Sequence, residues 1–295
     1  MMRSRPSLRN LARTGLNLFI ITCLILGCSS STKPTYLKEN IERAIQDICS
    51  NEYNIDVKAK LVGQTLWIYT PVEDMLAKSD KPEKYLERFI IEDNRTAFKD
   101  GMLKLEYLIK VIPEKEKFQE YKYNKAVLEK INNVWKALRR VMFSMEHLKK
   151  GEPQFFSLVF ADIKNGFETS EIFYYLDLKK VSYEFISWGE YQHRTIDETN
   201  ISPDIIGDKE GLHLDYRDIT LDEFIALQIN HRIKLKFQKP EVDKNADIDK
   251  EILKVVIYTL KTYGFRDFTA AELNNLLTQN RIILNRAAIL ARPID

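Results

Sequence analysis

Three segments of the chain repeat one order of patterns, an amphipathic helix followed by two short strands around a polar turn. In the first segment, isoleucine and alanine recur at helical spacing from about residue 37 to residue 49. Two strand patterns follow, on either side of Gly63-Gln64, where glycine favours a turn. Because such a helix has one apolar stripe, we expect it to pack on a sheet built from the neighbouring strands.

The second segment shows the clearest version of this pattern. Residues 124–147 predict a helix with an apolar stripe of Val127, Ile131, Val134, Leu138, Val141, Met142 and Met145. Strands over residues 155–163 and 167–177 flank Asn165-Gly166, the strongest hairpin signal in the chain. The segment therefore predicts a helix packed on an antiparallel hairpin.

The third segment predicts a helix from Ile248 that ends before Gly264. Residues 268–273 and 282–284 are its candidate strands, although residues 270–277 would also fit a helix. Together the three segments predict an α+β fold in which an antiparallel sheet carries helices mainly on one face. Two interpretations stay open: three degenerate αββ repeats, or the frequent recurrence of helix-plus-hairpin units in this class.

Other elements lie between these segments. Residues 85–91 and 102–112 predict an extra antiparallel strand pair, with turns at residues 92–94 and 99–101. A helix over residues 179–193 would turn Val181, Phe185, Ile186 and Trp188 inward, and residues 197–211 are typical of a loop. Thr220 then has the chemistry of a helix N-cap.

These patterns divide the body of the protein into three units. Residues 36–118 form a first α+β unit with the extra strand pair, residues 119–240 a second with helical insertions, and residues 241–295 a C-terminal α+β unit. The charged residues 113–119 and the polar residues 240–247 are the two candidate boundaries, and both could equally be surface loops.

The N-terminal 27 residues have the pattern of a signal peptide. Arg3, Arg5, Arg9 and Arg13 form a basic head, and residues 16–26 are an apolar run shorter than the roughly 20 residues that span a bilayer. Ile25-Leu26-Gly27-Cys28 follows and resembles the lipobox of bacterial lipoproteins. The resemblance implies cleavage before Cys28, lipidation of its thiol, and a short tether over residues 28–35 that carries the body.

The resemblance also implies where the protein resides. Acyl chains such as palmitate on Cys28 would hold the chain on a membrane, because each buried methylene contributes about 0.8 kcal/mol. Ser29 and Ser30 resemble an outer-membrane address rather than an inner-membrane one if the host has two membranes. Fully extended, residues 29–35 reach only about 25 Å. We therefore expect the body to work in the cell envelope or the periplasm, close to the lipid surface.

Charge and cysteine content narrow the possible functions. The chain has 45 basic and 43 acidic residues, and cleavage before Cys28 would remove four arginines and no acid. The body would then be nearly neutral, and this net charge argues against a nucleic-acid partner. Cys49 would be the one remaining cysteine, so no internal disulfide is possible. Its position on an apolar helical face predicts a small buried hydrophobe rather than a reactive thiol.

One local cluster could carry chemistry. Asp208, Glu210, His213, Asp215 and Asp218 are close in sequence, and an alternating pattern over residues 212–216 would place His213 and Asp215 on one strand face. His213, Asp215 and Asp218 are therefore a speculative ligand or metal site, with a solvated loop as the alternative interpretation. The sequence contains no recognisable catalytic motif, and we assign no catalytic residue and expect no cofactor or bound metal.

The absence of catalytic motifs favours a non-enzymatic role. We expect a membrane-anchored accessory or scaffold protein of an envelope complex, held by Cys28 and joined to an envelope protein partner. An alternative is a binding module for a small molecule, glycan or lipid. A third is an enzyme that uses His213, Asp215 and Asp218.

Overall fold

The computed structural model describes residues 40–144, 152–238 and 242–293. These residues form α1 (Ile41–Tyr53), β1 (Lys58–Val62), β2 (Thr65–Val72), β3 (Leu76–Lys99), β4 (Met102–Tyr123), α2 (Lys125–Ser144), β5 (Phe155–Asp162), β6 (Phe167–Tyr174), α3 (Tyr175–Ser182), α4 (Trp188–Arg194), β7 (Ile196–Ile201), α5 (Leu221–Gln238), α6 (Ile248–Thr262), β8 (Ala270–Asn275), β9 (Asn280–Asn285) and α7 (Arg286–Ala291). The predicted α+β class is confirmed. The signal peptide, Cys28 and the tether lie outside the described residues, so the lipid anchor stays a prediction.

The first sheet has the strand order β1-β2-β5-β6-β7. It is mixed rather than purely antiparallel, because β2 and β5 run parallel while the other neighbours run antiparallel. Parallel neighbours need a long crossover, and here β3, β4 and α2 supply it. Residue alternation within each strand does not reveal such a pairing.

Both faces of the first sheet are covered. One face packs against α1 and α2, whose stripes are buried as predicted for the described positions. The other face packs against residues 205–219 and Phe224 at the start of α5. Double coverage explains why every residue of the central strand β5 is buried.

The second sheet has the order β3-β4-β8-β9 and is also mixed, since β4 and β8 run parallel. Helices α5 and α6 contribute to its core through residues such as Ile229, Ile233 and Val256. The third predicted segment is confirmed as helix plus hairpin, so residues 270–275 form a strand and not a helix. The extra strand pair of residues 36–118 belongs to this second sheet.

Strands β3 and β4 form a ribbon far longer than the predicted pair, with Leu76 opposite Tyr123 at one end and Lys99 opposite Met102 at the other. Asp100-Gly101 makes the turn as predicted, with positive φ angles. The turn predicted at residues 92–94 is wrong, because these residues continue β3 through a register shift. The candidate boundary at residues 113–119 lies within β4.

The helix predicted over residues 179–193 is also wrong. Helices α3 and α4 are separate, and Glu184 between them adopts φ +61°, which a continuous helix does not allow. Val181 is buried as expected, whereas Phe185 is 79% and Trp188 is 54% exposed. Residues 197–201, expected in a loop, belong to the edge strand β7.

Helix α5 and a buried ion-pair network join the two sheets. Phe224 of α5 packs against the first sheet, and Ile225, one residue later, packs in the core of the second sheet. Arg194 lies 2.8 Å from a carboxylate oxygen of the fully buried Asp177 and 2.7 Å from Glu190, and Glu190 lies 3.2 Å from Arg232 of α5.

Cys49 is buried as predicted, and burial raises the pKa of its thiol to about 12. In the described part of the chain, no helix has the length and apolarity to cross a membrane.

Candidate functional site

The structure does not bring His213, Asp215 and Asp218 together. Residues 212–216 form an irregular loop instead of the expected strand. Asp215 is exposed and has no hydrogen bond or ion pair within the described residues. Asp218 points to the β1–β2 turn, where it accepts a hydrogen bond from the Gln64 backbone N–H at 2.7 Å. The speculative three-residue site therefore does not form.

His213 instead lies between two carboxylates. Its Nδ1 atom is 2.5 Å from Asp208 Oδ2, and its Nε2 atom is 2.8 Å from Glu168 Oε2. All three side chains are at least nine-tenths buried. Burial alone would lower the pKa of His213, but the hydrogen bonds to Glu168 and Asp208 outweigh it and raise the pKa above the ordinary 6.5.

This arrangement closes a loop over the first sheet. Asp208 also accepts hydrogen bonds from the backbone N–H groups of Glu210, Gly211 and His213, and its carbonyl accepts one from the Tyr69 hydroxyl at 2.5 Å. Since both imidazole nitrogens are engaged, neither is free to bind a substrate. Among residues 40–144, 152–238 and 242–293, no group of His, Cys, Asp and Glu residues could hold a metal ion.

A second location has the form of a binding site. A cleft of about 710 Å³ lies between α2, strand β6 with the edge strand β7, and α4. Its walls carry Glu171 and Asp197 from the sheet, Lys136 and Arg139 from α2, and Tyr191 from α4. Two tryptophans, Trp135 and Trp188, also line it.

Strand register places the two carboxylates side by side. Glu171 of β6 is directly opposite Asp197 of β7, so both side chains project from the same face of the sheet. The Trp135 indole N–H donates a hydrogen bond to Glu171 Oε2 at 3.1 Å. Within the described residues, neither carboxylate forms an ion pair.

Their environment raises both pKa values. Burial, and secondly the nearby Asp197 charge, raise the pKa of Glu171 to about 7 despite the hydrogen bond from Trp135. Partial desolvation raises the pKa of Asp197 to about 6. Because Asp197 is exposed and Glu171 is half-buried, solvent screens the effect more strongly at Asp197.

Tyr191 adds a poorly satisfied hydrogen-bonding group to the cleft. The residue is only 5% exposed, yet its hydroxyl makes no hydrogen bond of normal geometry in the described part of the chain and interacts only loosely with the Thr195 side chain. The neighbouring aromatic groups are well supported: Trp135 stacks on Phe173 at a ring distance of 4.8 Å, and Arg139 lies 4.9 Å above the Trp188 ring. The cleft thus combines rigid aromatic walls with polar groups that the fold does not pair.

Sequence reasoning missed this cleft. Aromatic residues adjacent in sequence do not mark it, because Phe173, Tyr175, Trp67 and Tyr69 are buried in the cores. Nothing in the sequence distinguishes Glu171 and Asp197 from the neighbouring acids Glu168 and Glu198 in the same two strands. Only the register between these strands makes them neighbours.

Comparisons with known proteins do not assign this site a role. No protein-family model, curated protein or solved structure matches the chain.

Proposed function

We propose that this chain is a lipid-anchored protein of the cell envelope, held by Cys28, whose body is a non-enzymatic binding module. Its ligand site is the cleft beside Glu171 and Tyr191. One observation carries the proposal: the buried Tyr191 hydroxyl makes no hydrogen bond of normal geometry within the described residues and has only a loose interaction with the Thr195 side chain. An unsatisfied buried polar group costs about 1–3 kcal/mol, which a ligand oxygen or nitrogen would recover on binding.

The positions of other reactive groups support a role without catalysis. The Cys49 thiol is buried in the core, with a raised pKa that keeps it protonated at neutral pH. His213 uses both ring nitrogens to hold Asp208 and Glu168. The histidine and thiol most suited to acid–base or nucleophilic chemistry therefore serve the fold.

A ligand-observed NMR screen of the lipidated protein in nanodiscs, with a fragment mixture of amino acids, sugars and lipid headgroups, tests the site. We expect at least one class to bind, and Tyr191→Phe to weaken that binding several-fold. Tyr183→Phe is the matched control, because Tyr183 is 62% exposed and lies outside the cleft. Equal binding by wild type and Tyr191→Phe would argue against this cleft.

The anchor requires its own experiment. Intact mass of the membrane-extracted N-terminus should begin at an acylated Cys28, and Cys28→Ala should release the protein from the membrane. Normal anchoring of Cys28→Ala would refute the lipoprotein assignment. An outer-membrane location is then tested by fractionating the two membranes of a diderm host.

A second candidate function, an accessory or scaffold protein, is favoured by the β3–β4 ribbon. Tyr85, Phe118 and Tyr121 are all exposed on the half of the ribbon that ends at the Leu76–Tyr123 pair. Exposed aromatic residues are common anchors for protein partners. In-cell crosslinking followed by mass spectrometry should recover a stoichiometric envelope protein that Phe118→Ser with Tyr121→Ser no longer captures. Unchanged capture would exclude the ribbon as the docking surface.

A further inference from the structure

The cleft carries unpaired charges of both signs on opposite walls. Glu171 and Asp197 project from the sheet, and Lys136 and Arg139 project from α2. None of these four side chains forms an ion pair within the described residues, although ion pairs are common elsewhere on this protein. The opposite charges therefore face one cavity without neutralising one another.

The other interactions of these side chains leave their charges uncompensated. Glu171 accepts a hydrogen bond only from the neutral Trp135 indole, and Lys136 donates to the neutral Asn133 side chain at 3.0 Å. The Arg139 guanidinium lies over the Trp188 ring, a contact that orients the cation and preserves its charge. Each charged group is thus positioned by a neutral neighbour.

We propose that the cleft binds a zwitterionic ligand of the amino-acid or short-peptide class, with its ammonium group at Glu171 and Asp197 and its carboxylate at Lys136 and Arg139. This inference rests on the proposed binding function and specifies its ligand. A ligand with both charges would compensate both walls at once, whereas a simple cation or anion would compensate one. Tyr191 lines the same cleft, and its poorly satisfied hydroxyl can bond a peptide carbonyl or amine.

Two observations separate this ligand from a metal ion. The described residues hold no group of three or more ligating side chains that could coordinate a metal. The cleft is also lined by Trp135 and Trp188, whose ring faces attract organic ammonium groups and pack on aliphatic peptide atoms. The cavity of about 710 Å³ is within the range of small-ligand sites.

The test uses the lipidated full-length protein in nanodiscs and tri-alanine in four forms: both termini free, N-acetylated, C-terminally amidated, and doubly blocked. Tryptophan fluorescence is a suitable readout, because Trp135 and Trp188 line the cleft and the third tryptophan, Trp67, is buried in another core. We expect saturable binding of the free peptide. Blocking either terminus should weaken binding about tenfold or more, the usual scale for losing one partner of a close charge pair.

Variants assign each charge to a wall. Glu171→Gln with Asp197→Asn should weaken binding of the free peptide about tenfold but leave the N-acetylated form unaffected. Lys136→Gln with Arg139→Gln should do the same for the carboxylate, leaving the amidated form unaffected. Glu198→Gln, next to Asp197 on the opposite strand face, and Lys130→Gln, exposed on α2 outside the cleft, are the matched controls.

The possible failures are distinguishable. If blocked and free peptides bind equally, or if a sugar or headgroup binds in a Tyr191-dependent manner while peptides do not, the zwitterion proposal is overturned and the binding module stands. If no peptide form and no screened fragment binds the folded protein, both proposals fail. Circular dichroism of each variant establishes that a loss of binding is not a loss of fold.

Discussion

Glu168 and Glu171 lie three residues apart on strand β6 and face opposite sides of the first sheet. Glu168 is paired through both oxygens, with His213 at 2.8 Å and Asn200 at 3.0 Å. Glu171 has one hydrogen bond, from Trp135, and faces the like charge of Asp197. One strand therefore carries a compensated carboxylate on the face that closes the fold and an uncompensated one on the face that lines a cleft.

This difference suggests that the paired carboxylate stabilises the fold, whereas the unpaired one serves binding. A buried charge is tolerated in a folded protein when it is paired and hydrogen-bonded, as at Glu168. Leaving Glu171 and Asp197 without a cation costs folding free energy, which a ligand can return when it binds. Mutation of the charged residues on the paired face should therefore lower the stability of the protein. Neutralising the carboxylates on the unpaired face should leave the stability unchanged or raise it.

The largest effect is expected from breaking the paired side. His213→Gln leaves the buried Glu168 and Asp208 carboxylates without a cation between them and should lower the free energy of unfolding by about 3 kcal/mol or more. Urea denaturation at pH 6 measures this loss. His193→Gln is the control, since His193 is only partly buried and should change stability by about 0.5 kcal/mol or less. An equal, small effect of both substitutions would contradict the role of His213.

Neutralising Glu171 on the unpaired face should instead raise the free energy of unfolding. The pKa of Glu171 is about 7 in the folded protein against an ordinary 4.5, so the folded state binds the proton more tightly. Stability should therefore fall as pH rises from about 4.5 to about 7. Glu171→Gln removes this loss and should stabilise the protein by about 1–2 kcal/mol at pH 8, after allowance for partial solvent screening.

Thermal unfolding at pH 8 and pH 4.5 tests the Glu171 prediction, with a gain expected only at pH 8. Glu171 interacts with Asp197, Trp135, Tyr123 and Tyr191, and neither tyrosine ionises in this range because burial raises both pKa values. Lys136, Arg139 and His193 line the same cleft. Glu198→Gln should have little effect at either pH. A destabilised Glu171→Gln variant at pH 8 would mean that Glu171 has a cationic partner.

The pH dependence of the His213 contribution sharpens the same contrast. The folded-state pKa of His213 is raised above 6.5, so its stabilisation is fully present below pH 6.5 and is lost as pH rises through the folded value. The stability difference between wild type and His213→Gln should shrink between pH 6 and pH 9. Denaturant titrations across this range measure it, and a difference that grows with pH would contradict a raised pKa of His213 in the folded protein.

The smallest effect is expected at Asp197. Asp197→Asn neutralises the second carboxylate of the cleft, but Asp197 is exposed, so stability should change by about 0.5 kcal/mol or less. The substitution should nevertheless lower the pKa of Glu171, because it removes the neighbouring negative charge. Carboxyl-carbon NMR titration of Glu171 in the variant measures this shift, and an unchanged pKa would mean that burial alone sets it.

Local patterns predicted the elements whose structure depends on nearby residues. Helices α1, α2 and α6 follow from their apolar stripes, and the β8–β9 hairpin follows from short strands around a polar turn. The predictions fail where residues distant in the sequence determine the local structure. Residues 92–94 have turn chemistry but remain in β3, because pairing with β4 holds them there.

The sequence by itself determined the α+β class, the buried state of Cys49 and the periodic faces of the main helices, because each depends on spacing within one element. Tertiary structure alone decided the two mixed sheets and the partners of the charged residues. Glu168 reaches His213 across 45 positions, and Glu171 meets Asp197 through strand register. A single-residue shift of that register would turn the opposing side chain to the other face of the sheet, which is why no local pattern could reveal the cleft.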